Sequence, residues 1–410
     1  MPDYYPRLID PLLERLLTQL PALLLVGPRA TGKTTTAARY ARTSVRLDRP
    51  AEAAAFQADA DAALRGLPEP VLFDEWQCVP QVLGAIKRAV DDAPLPGRFL
   101  LTGSVRADLD VQGWPGTGRL VRLPMYGMTM REQLLRTGPK SFLDAVADGE
   151  RPRLPSAPPD LRDYVELALR GGFPHAALRL EARARQRWLE GYLEQLLTRD
   201  AERVDGGRDP ARFRRYFEAY ALNTAGVVSD TTLYSTGGVN RRTAVAYEQL
   251  LKNLMVVEAV PSWASNRLKR LVRSAKRYVV DPALVGACLR LDADAVLRDG
   301  DLLGRLLDTL VAAQLRAELV VSESRPRLYH LRQEQGRHEV DLLAELGARR
   351  VVAIEVKADS APSERDVQHL AWIRDALGQR FVAGVVFHTG PRIYPLGDRV
   401  AAIPICALWG

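Results

Sequence analysis

Gly27-Pro28-Arg29-Ala30-Thr31-Gly32-Lys33-Thr34 spells a complete G-x-x-x-x-G-K-T loop. The run Leu23-Leu24-Leu25-Val26 precedes it, short and apolar enough for a buried parallel strand. Thr35 to Ala41 follows with helix-forming residues. Strand, glycine-bent turn and helix in that order aim backbone N–H groups inward around the phosphates of a nucleotide. In such a loop Lys33 reaches the β- and γ-phosphates and the Thr34 hydroxyl coordinates Mg²⁺. Gly27 to Thr34, with Thr35, are therefore the expected nucleotide-binding residues.

A nucleotide site also needs an apolar strand ending in a carboxylate, and Val71-Leu72-Phe73-Asp74-Glu75 supplies it. Asp74 is expected to hold the hydrated Mg²⁺, and Glu75 to orient and polarise the attacking water. Two adjacent acids closing a buried strand are costly unless they face a cation. A third strand, Arg98 to Ser104, ends in polar residues. Thr102 or Ser104 is a candidate γ-phosphate sensor there, the other reading being a plain strand-to-turn boundary. Leu120-Val121-Arg122-Leu123 continues the sheet, and Arg119 just before it is either an arginine finger or phosphate sensor, or one of many surface arginines. These motifs resemble the AAA+ group of P-loop ATPases. The alternation of strands and helices predicts a parallel sheet with right-handed crossovers.

At 410 residues the chain exceeds one ordinary core. It has no apolar run of membrane-spanning length and no signal-like start, so no membrane partner is expected. Cys78, Cys288 and Cys406 lie far apart, in neither a disulfide nor a zinc pattern, which points to a reducing cytoplasm. The net charge of +7 admits a phosphate-rich partner such as DNA, although a generally Arg-rich composition gives the same number.

A Pro-rich stretch between Ala147 and Asp160 reads as a linker or exposed loop. Helical periodicity follows over Leu161 to Ala168 and Glu181 to Arg199, separated by the breaker Gly171-Gly172-Phe173-Pro174. Arg199 either contacts the nucleotide or pairs with Asp200. Phe213 to Thr224, a short helix opened by Asp230 as cap, and Asn240 to Lys252 with apolar Val245, Leu250 and Leu251 make three more helices. The apolar strand Met255 to Val260 comes next. That is the element order of a winged helix-turn-helix, with Arg241 and Arg242 where base-reading side chains project. Arg267, Lys269, Arg270, Arg273, Lys276 and Arg277 form a basic stretch, either a phosphate-contacting surface or a solvated face that docks against protein.

In the last third, Tyr278-Val279-Val280-Asp281-Pro282 reads as a strand running into a turn, and Leu302 to Glu318 as a helix with Asp308 at the edge of its apolar stripe. Glu339 to Leu343 and Val351 to Lys357 read as strands joined around Gly347. A period of two puts Glu355 and Lys357 on one face, and Glu339 and Asp341 on one face of the preceding strand. Paired, they bring Asp341, Glu355 and Lys357 together, a set able to bind a divalent metal and activate water against a phosphodiester. Asp341, thirteen residues, then Glu355-Val356-Lys357 resembles the PD-(D/E)XK nuclease signature. The resemblance adds Asp308 as a metal ligand and Lys357 as a catalytic residue, with Gln368 as a polar neighbour. A Glu-x-Lys strand end is also a common solvated ion pair, and such folds occur without activity. His330, His338, His369 and His388 lack zinc-ligand spacing.

As a whole the chain resembles a prokaryotic family of AAA+ ATPases with a C-terminal domain of unknown function. The resemblance implies an α/β multidomain protein in four parts. An AAA+ parallel-sheet core spans 1–140, a helical lid 141–205, a winged helix-turn-helix 206–277, and a restriction-endonuclease-like α/β domain 278–410. Two functions are compatible with this. One is an Mg²⁺-dependent ATPase acting on DNA, whose C-terminal domain cuts with Mg²⁺ or Mn²⁺. The other is an ATP-gated protein-binding scaffold or signalling switch with an inactive nuclease fold. Oligomerisation is open.

Overall fold

The computed structural model describes residues 4–104, 118–138, 140–200, 209–264, 274–333 and 338–410. The chain divides into two compact units, one of residues 1–127 with 252–255, the other of 128–251 with 256–410. This division is coarser than the four parts expected from sequence.

The first unit is built on five strands: β1 (Ala22–Val26), β2 (Thr43–Arg46), β3 (Val71–Asp74), β4 (Phe99–Gly103) and β5 (Leu120–Pro124). Their order is β2-β3-β4-β1-β5 and every pairing is parallel. Each residue of β3 and β4 is buried, which explains why these strands read as unbroken apolar runs rather than as alternation. The helix Gln81–Asp92 lays Val82, Leu83, Ala85, Ile86 and Val90 into the core, the spacing of a helix with one apolar face. Phe56 and Phe73 meet edge to face in the same core, with ring centroids 5.4 Å apart. The helix after the glycine loop runs from Lys33 to Ala38, two residues earlier at its start than predicted.

The register decides the function of this sheet. Val26 lies beside Gly103 and Leu25 beside Thr102, while Phe73 lies beside Leu101. The ends of β1, β3 and β4 therefore open side by side, carrying the glycine loop, Asp74-Glu75 and Thr102 to Ser104.

In the second unit, the helices Leu161–Arg170, Pro174–Arg179 and Ala182–Gln195 precede Pro210–Leu222, Asp230–Thr236 and Arg241–Asn253. Strands β6 (Val257–Val260) and β7 (Lys276–Val279) then pair antiparallel. Three local expectations change. Ser229, not Asp230, caps the short helix, its side chain accepting from the Thr232 N–H. Val245 is 61% exposed, while Leu250 and Leu251 are buried. Asp281-Pro282 starts a helix, Pro282–Leu289, and not a turn. Asp281 caps that helix and proline at its first position loses no needed N–H. All but its last residue are buried, so the helix shows no apolar-polar period from which to read it.

The chain ends in a six-stranded mixed sheet of β8 (Arg327–Arg332), β9 (Glu339–Glu345), β10 (Val351–Val356), β11 (Phe381–His388), β12 (Tyr394–Gly397) and β13 (Val400–Pro404). The order is β12-β13-β11-β10-β9-β8, with β10-β11 and β11-β13 parallel and the rest antiparallel. The expected pairing of β9 with β10 is present, from Val351 opposite Glu345 to Ile354 opposite Leu342.

The breaker at Gly171-Gly172 has a specific partner. The Gly172 N–H donates to Asp281 at 2.8 Å, and Gly171 holds φ at +68°. A Cβ on Gly171 would lie 2.4 Å from the Asp281 carboxylate and 2.5 Å from the Ala283 Cβ. Backbone strain and collision add at this position. Gly171→Ala is expected to lower stability by about 1–3 kcal/mol from the backbone alone, with the collision on top. A thermal melt checks this; a midpoint equal to wild type contradicts it.

Candidate functional site

The glycine loop is fixed by contacts on every side within its own unit. Gly27 passes so close to Met125 that a Cβ would sit 1.9 Å from the Met125 carbonyl oxygen. The Met125 N–H donates to Val26 at 2.7 Å. Ala30 and Gly32 turn the loop with φ of +58° and +93°. The Thr31 hydroxyl closes it by donating to the Pro28 carbonyl at 2.9 Å. From outside, the buried Arg7 guanidinium donates to the carbonyls of Thr31 at 2.7 Å and Tyr126 at 2.9 Å. Arg7 escaped the sequence reading because an arginine twenty residues before the motif carries no pattern.

Lys33 is 5% exposed, and its ammonium donates to the carbonyls of Gly27 at 3.0 Å and Pro28 at 2.7 Å. Burial pulls its pKa down to about 8, against the opposing pull of Glu75 and Asp74. The Thr34 hydroxyl donates to Asp74 Oδ1 at 2.7 Å, and the Thr102 hydroxyl donates to the same oxygen. Glu75 sits at φ +53°, its Oε2 accepting from the Ser104 hydroxyl at 3.1 Å and from the Gln77 amide. Thr34 and Thr102 thus meet on Asp74, Ser104 meets the adjacent Glu75, and Lys33 feels the charge of both acids. Thr35 is exposed and Arg29 half-buried beside it.

The donor set fits a nucleotide-bound Mg²⁺, because a hydroxyl and a carboxylate converge next to a buried ammonium. Bound there, Mg²⁺ would screen the phosphate charge. Arg119 does not join the site of its own chain. Parallel pairing sets Leu120 against Ala22, at the end of β1 away from the loop, and Arg119 pairs with Asp91 at 2.8 Å on the surface.

The second expected cluster does assemble, with an uninvited member. Lys276 Nζ lies 2.5 Å from Asp308 Oδ2 and 2.9 Å from Asp341 Oδ1, with its side chain 4% exposed. It also donates to the Asp341 carbonyl at 3.3 Å. The Tyr278 hydroxyl donates to Asp308 Oδ1 at 2.9 Å and the Val356 N–H to Asp341 Oδ2 at 3.0 Å. The β9–β10 register, carried one residue further, sets Glu355 against Asp341, and Lys357 Nζ is 3.3 Å from Glu355 Oε2.

Burial lowers the affinity of Lys276 for its proton, but Asp308 and Asp341 outweigh it and hold the ammonium charged. Burial raises the Asp308 pKa, and the Lys276 charge offsets only part of that. Burial works the same way on Asp341, where Lys276 with the Val356 N–H wins and keeps the carboxylate ionised. Burial and the Asp341 charge push Glu355 well above the usual carboxylate range.

The metal site expected of Asp308, Asp341 and Glu355 is therefore not supported. Among the described residues no group of three His, Cys, Asp or Glu side chains is arranged to hold a metal ion. Asp308 and Asp341 close on the Lys276 ammonium, which takes the place of a divalent cation between them, while Glu355 Oε2 faces Lys357 and Glu355 Oε1 is buried with no hydrogen-bond partner among the described residues.

Neither reading of Lys276 and Arg277, a phosphate-contacting surface or a solvated face, fits their burial. Arg277 is buried, donates to the Val228 carbonyl at 2.7 Å and pairs with Asp230 and Glu248. Arg267, Lys269, Arg270 and Arg273, and the side chains of Arg199 and Asp200, lie outside the described residues. Gln368 is exposed at the start of the helix Gln368–Leu377. His330 is buried with its pKa lowered to about 4 by that burial, so a neutral ring donates from Nε2 to the Ser274 carbonyl at 3.0 Å. His338 stacks on Trp372, ring centroids 4.1 Å apart.

Residues 19–134 match the family model described as an AAA domain, which supports a P-loop ATPase. Residues 161–295 and 303–408 match two models described only as domains of unknown function, DUF8612 and DUF4143. The uncharacterized proteins Rv2008c of Mycobacterium tuberculosis and Mb2031c of Mycobacterium bovis are each 28% identical over 397 residues, covering 96% of this chain and 82% of theirs. The Walker-type ATPase of Pyrococcus abyssi is similar in structure at a TM-score of 0.45 and 14% identity, over 70% of this chain and 97% of that one. The chain thus has a parallel-sheet P-loop ATPase-like core and a C-terminal mixed-sheet domain. Among the described residues no helix is long and apolar enough to cross a membrane.

The lowered Lys33 pKa has a measurable sign. Above pH 8 the buried lysine is largely neutral, and arriving phosphates favour its charged form. ATP binding at pH 8.5 is expected to take up roughly half to one proton. Calorimetry in buffers of different ionisation enthalpy reads this directly; a binding heat identical in all buffers contradicts it.

Proposed function

We propose that the chain is an Mg²⁺-dependent ATP hydrolase. The observation that carries this is the convergence of Thr34 and Thr102 on Asp74 Oδ1, beside a glycine loop whose carbonyls hold the buried Lys33 ammonium. Gly27 to Thr34 cradle the phosphates with backbone N–H groups, and Lys33 releases its two loop carbonyls to meet them. Thr34 and Asp74 would hold a hydrated Mg²⁺. Glu75, adjacent to Asp74 and held by Ser104 and Gln77, takes a proton from the attacking water. Thr102 senses the γ-phosphate through Asp74.

Lys33→Ala is expected to abolish ATP turnover; undiminished hydrolysis by that variant refutes the site. Glu75→Gln is expected to keep nucleotide binding and lose roughly 10²–10⁴-fold in turnover. Equal loss of binding would assign Glu75 to binding rather than to water.

Two readings remain for what the ATPase serves. Action on DNA draws on the +7 net charge and on exposed Arg241 and Arg242 at the start of the helix Arg241–Asn253, within the order expected of a winged helix-turn-helix. A protein-binding scaffold or switch, gated by ATP and carrying an inactive nuclease-like fold, is favoured by the internal pairing of Lys276 and Arg277. That pairing withdraws two cations from any phosphate-contacting surface. A gel-shift series separates them: DNA affinity that falls steeply with rising salt supports the first, and little affinity at any salt supports the second.

A further inference from the structure

We infer that Lys276 is a built-in replacement for the divalent metal in the C-terminal acidic cluster, so that this domain binds no catalytic metal and cuts no phosphodiester. The inference draws on nothing in the ATP site, and stands or falls apart from the ATPase reading.

Three carboxylates, Asp308 on the helix Gly300–Val321, Asp341 on β9 and Glu355 on β10, are brought together from different elements. A divalent ion held by both Asp308 and Asp341 would have to enter between them. The ammonium of Lys276 occupies that place, within hydrogen-bonding distance of both. Each of the four oxygens of Asp308 and Asp341 accepts from a protein donor: Lys276 twice, the Tyr278 hydroxyl and the Val356 N–H. Alternation along β7 puts Lys276 and Tyr278 on one face, so a single strand delivers both donors to Asp308. Lys276 and Lys357 together set two positive charges against the three carboxylates.

The lysine is also not placed to swing aside. It is 3% exposed overall, and its backbone is paired in the β6–β7 ladder opposite Val260. Moving the ammonium out would strand two buried carboxylates, and an incoming ion would have to lose water to replace it.

The test is Mn²⁺ binding to the full-length chain without nucleotide, counted by electron paramagnetic resonance. Wild type, Asp341→Asn and Glu355→Gln are expected to bind the same number of ions. Lys276→Met is expected to gain one ion per chain, and Lys276→Met/Asp341→Asn to lose it again. An ion bound by wild type and lost in Asp341→Asn or Glu355→Gln overturns the inference. So does a folded Lys276→Met chain that gains none. Should Lys276→Met fail to fold, the comparison of wild type with Glu355→Gln still decides, since that substitution preserves the shape of the side chain.

Discussion

The parallel register of β1, β3 and β4 is the constraint on which the first unit depends. It fixes Leu25 beside Thr102 and Phe73 beside Leu101. Three chain segments far apart in sequence then end at one level and present a loop, two acids and a hydroxyl to one another. Close packing of Gly27 against Met125 and the grip of Arg7 on Thr31 hold the loop to that level. A phosphate cradle needs backbone N–H groups held in place beforehand, because flexible donors lose their advantage over water. The buried lysine fits the same design. Its ammonium is poorly solvated, and the loop carbonyls are a modest substitute for phosphate.

The C-terminal unit shows how the same ingredients lead elsewhere. Paired strands bring Asp341 and Glu355 together as their alternation predicts, and a helix supplies Asp308. What the cluster then does is set by a fourth element, β7, whose lysine enters the centre. Buried carboxylates require a counter-charge. A metal ion is one solution and an internal ammonium another, and the second ties β7 to β9 and to the helix carrying Asp308. The ion pair is structural in effect, since breaking it from one side leaves charges buried alone.

The glycine-loop site was legible because its pattern is local. The loop is one uninterrupted motif, and β1 before it and the Val71-Leu72-Phe73 run of β3 are continuous apolar stretches of the right length. Asp74-Glu75 and Thr102 follow from the same logic. The β9–β10 pairing was also readable from its period of two. Other features depend on neighbours that a single sequence does not reveal. Lys276 and Arg277 look like part of a basic surface stretch, and only the fold turns them inward toward Asp308, Asp341, Asp230 and Glu248. The helix Pro282–Leu289 is apolar on all sides, so its period is invisible. Arg119 precedes an expected strand, and only strand direction puts it at the end of the sheet away from the loop. Gly171-Gly172 was readable as a breaker, but its partner Asp281 lies 109 residues on.

The central claim is that Thr34 and Asp74 hold Mg²⁺ for a nucleotide cradled by the loop. Calorimetric titration of the full chain with ATP, run with Mg²⁺ and with chelator, tests it most directly. The account predicts one nucleotide per chain, tighter binding with Mg²⁺, and loss of that Mg²⁺ advantage in Thr34→Ala. Absence of binding by well-folded protein, or a Mg²⁺ advantage that survives in Thr34→Ala, would contradict it.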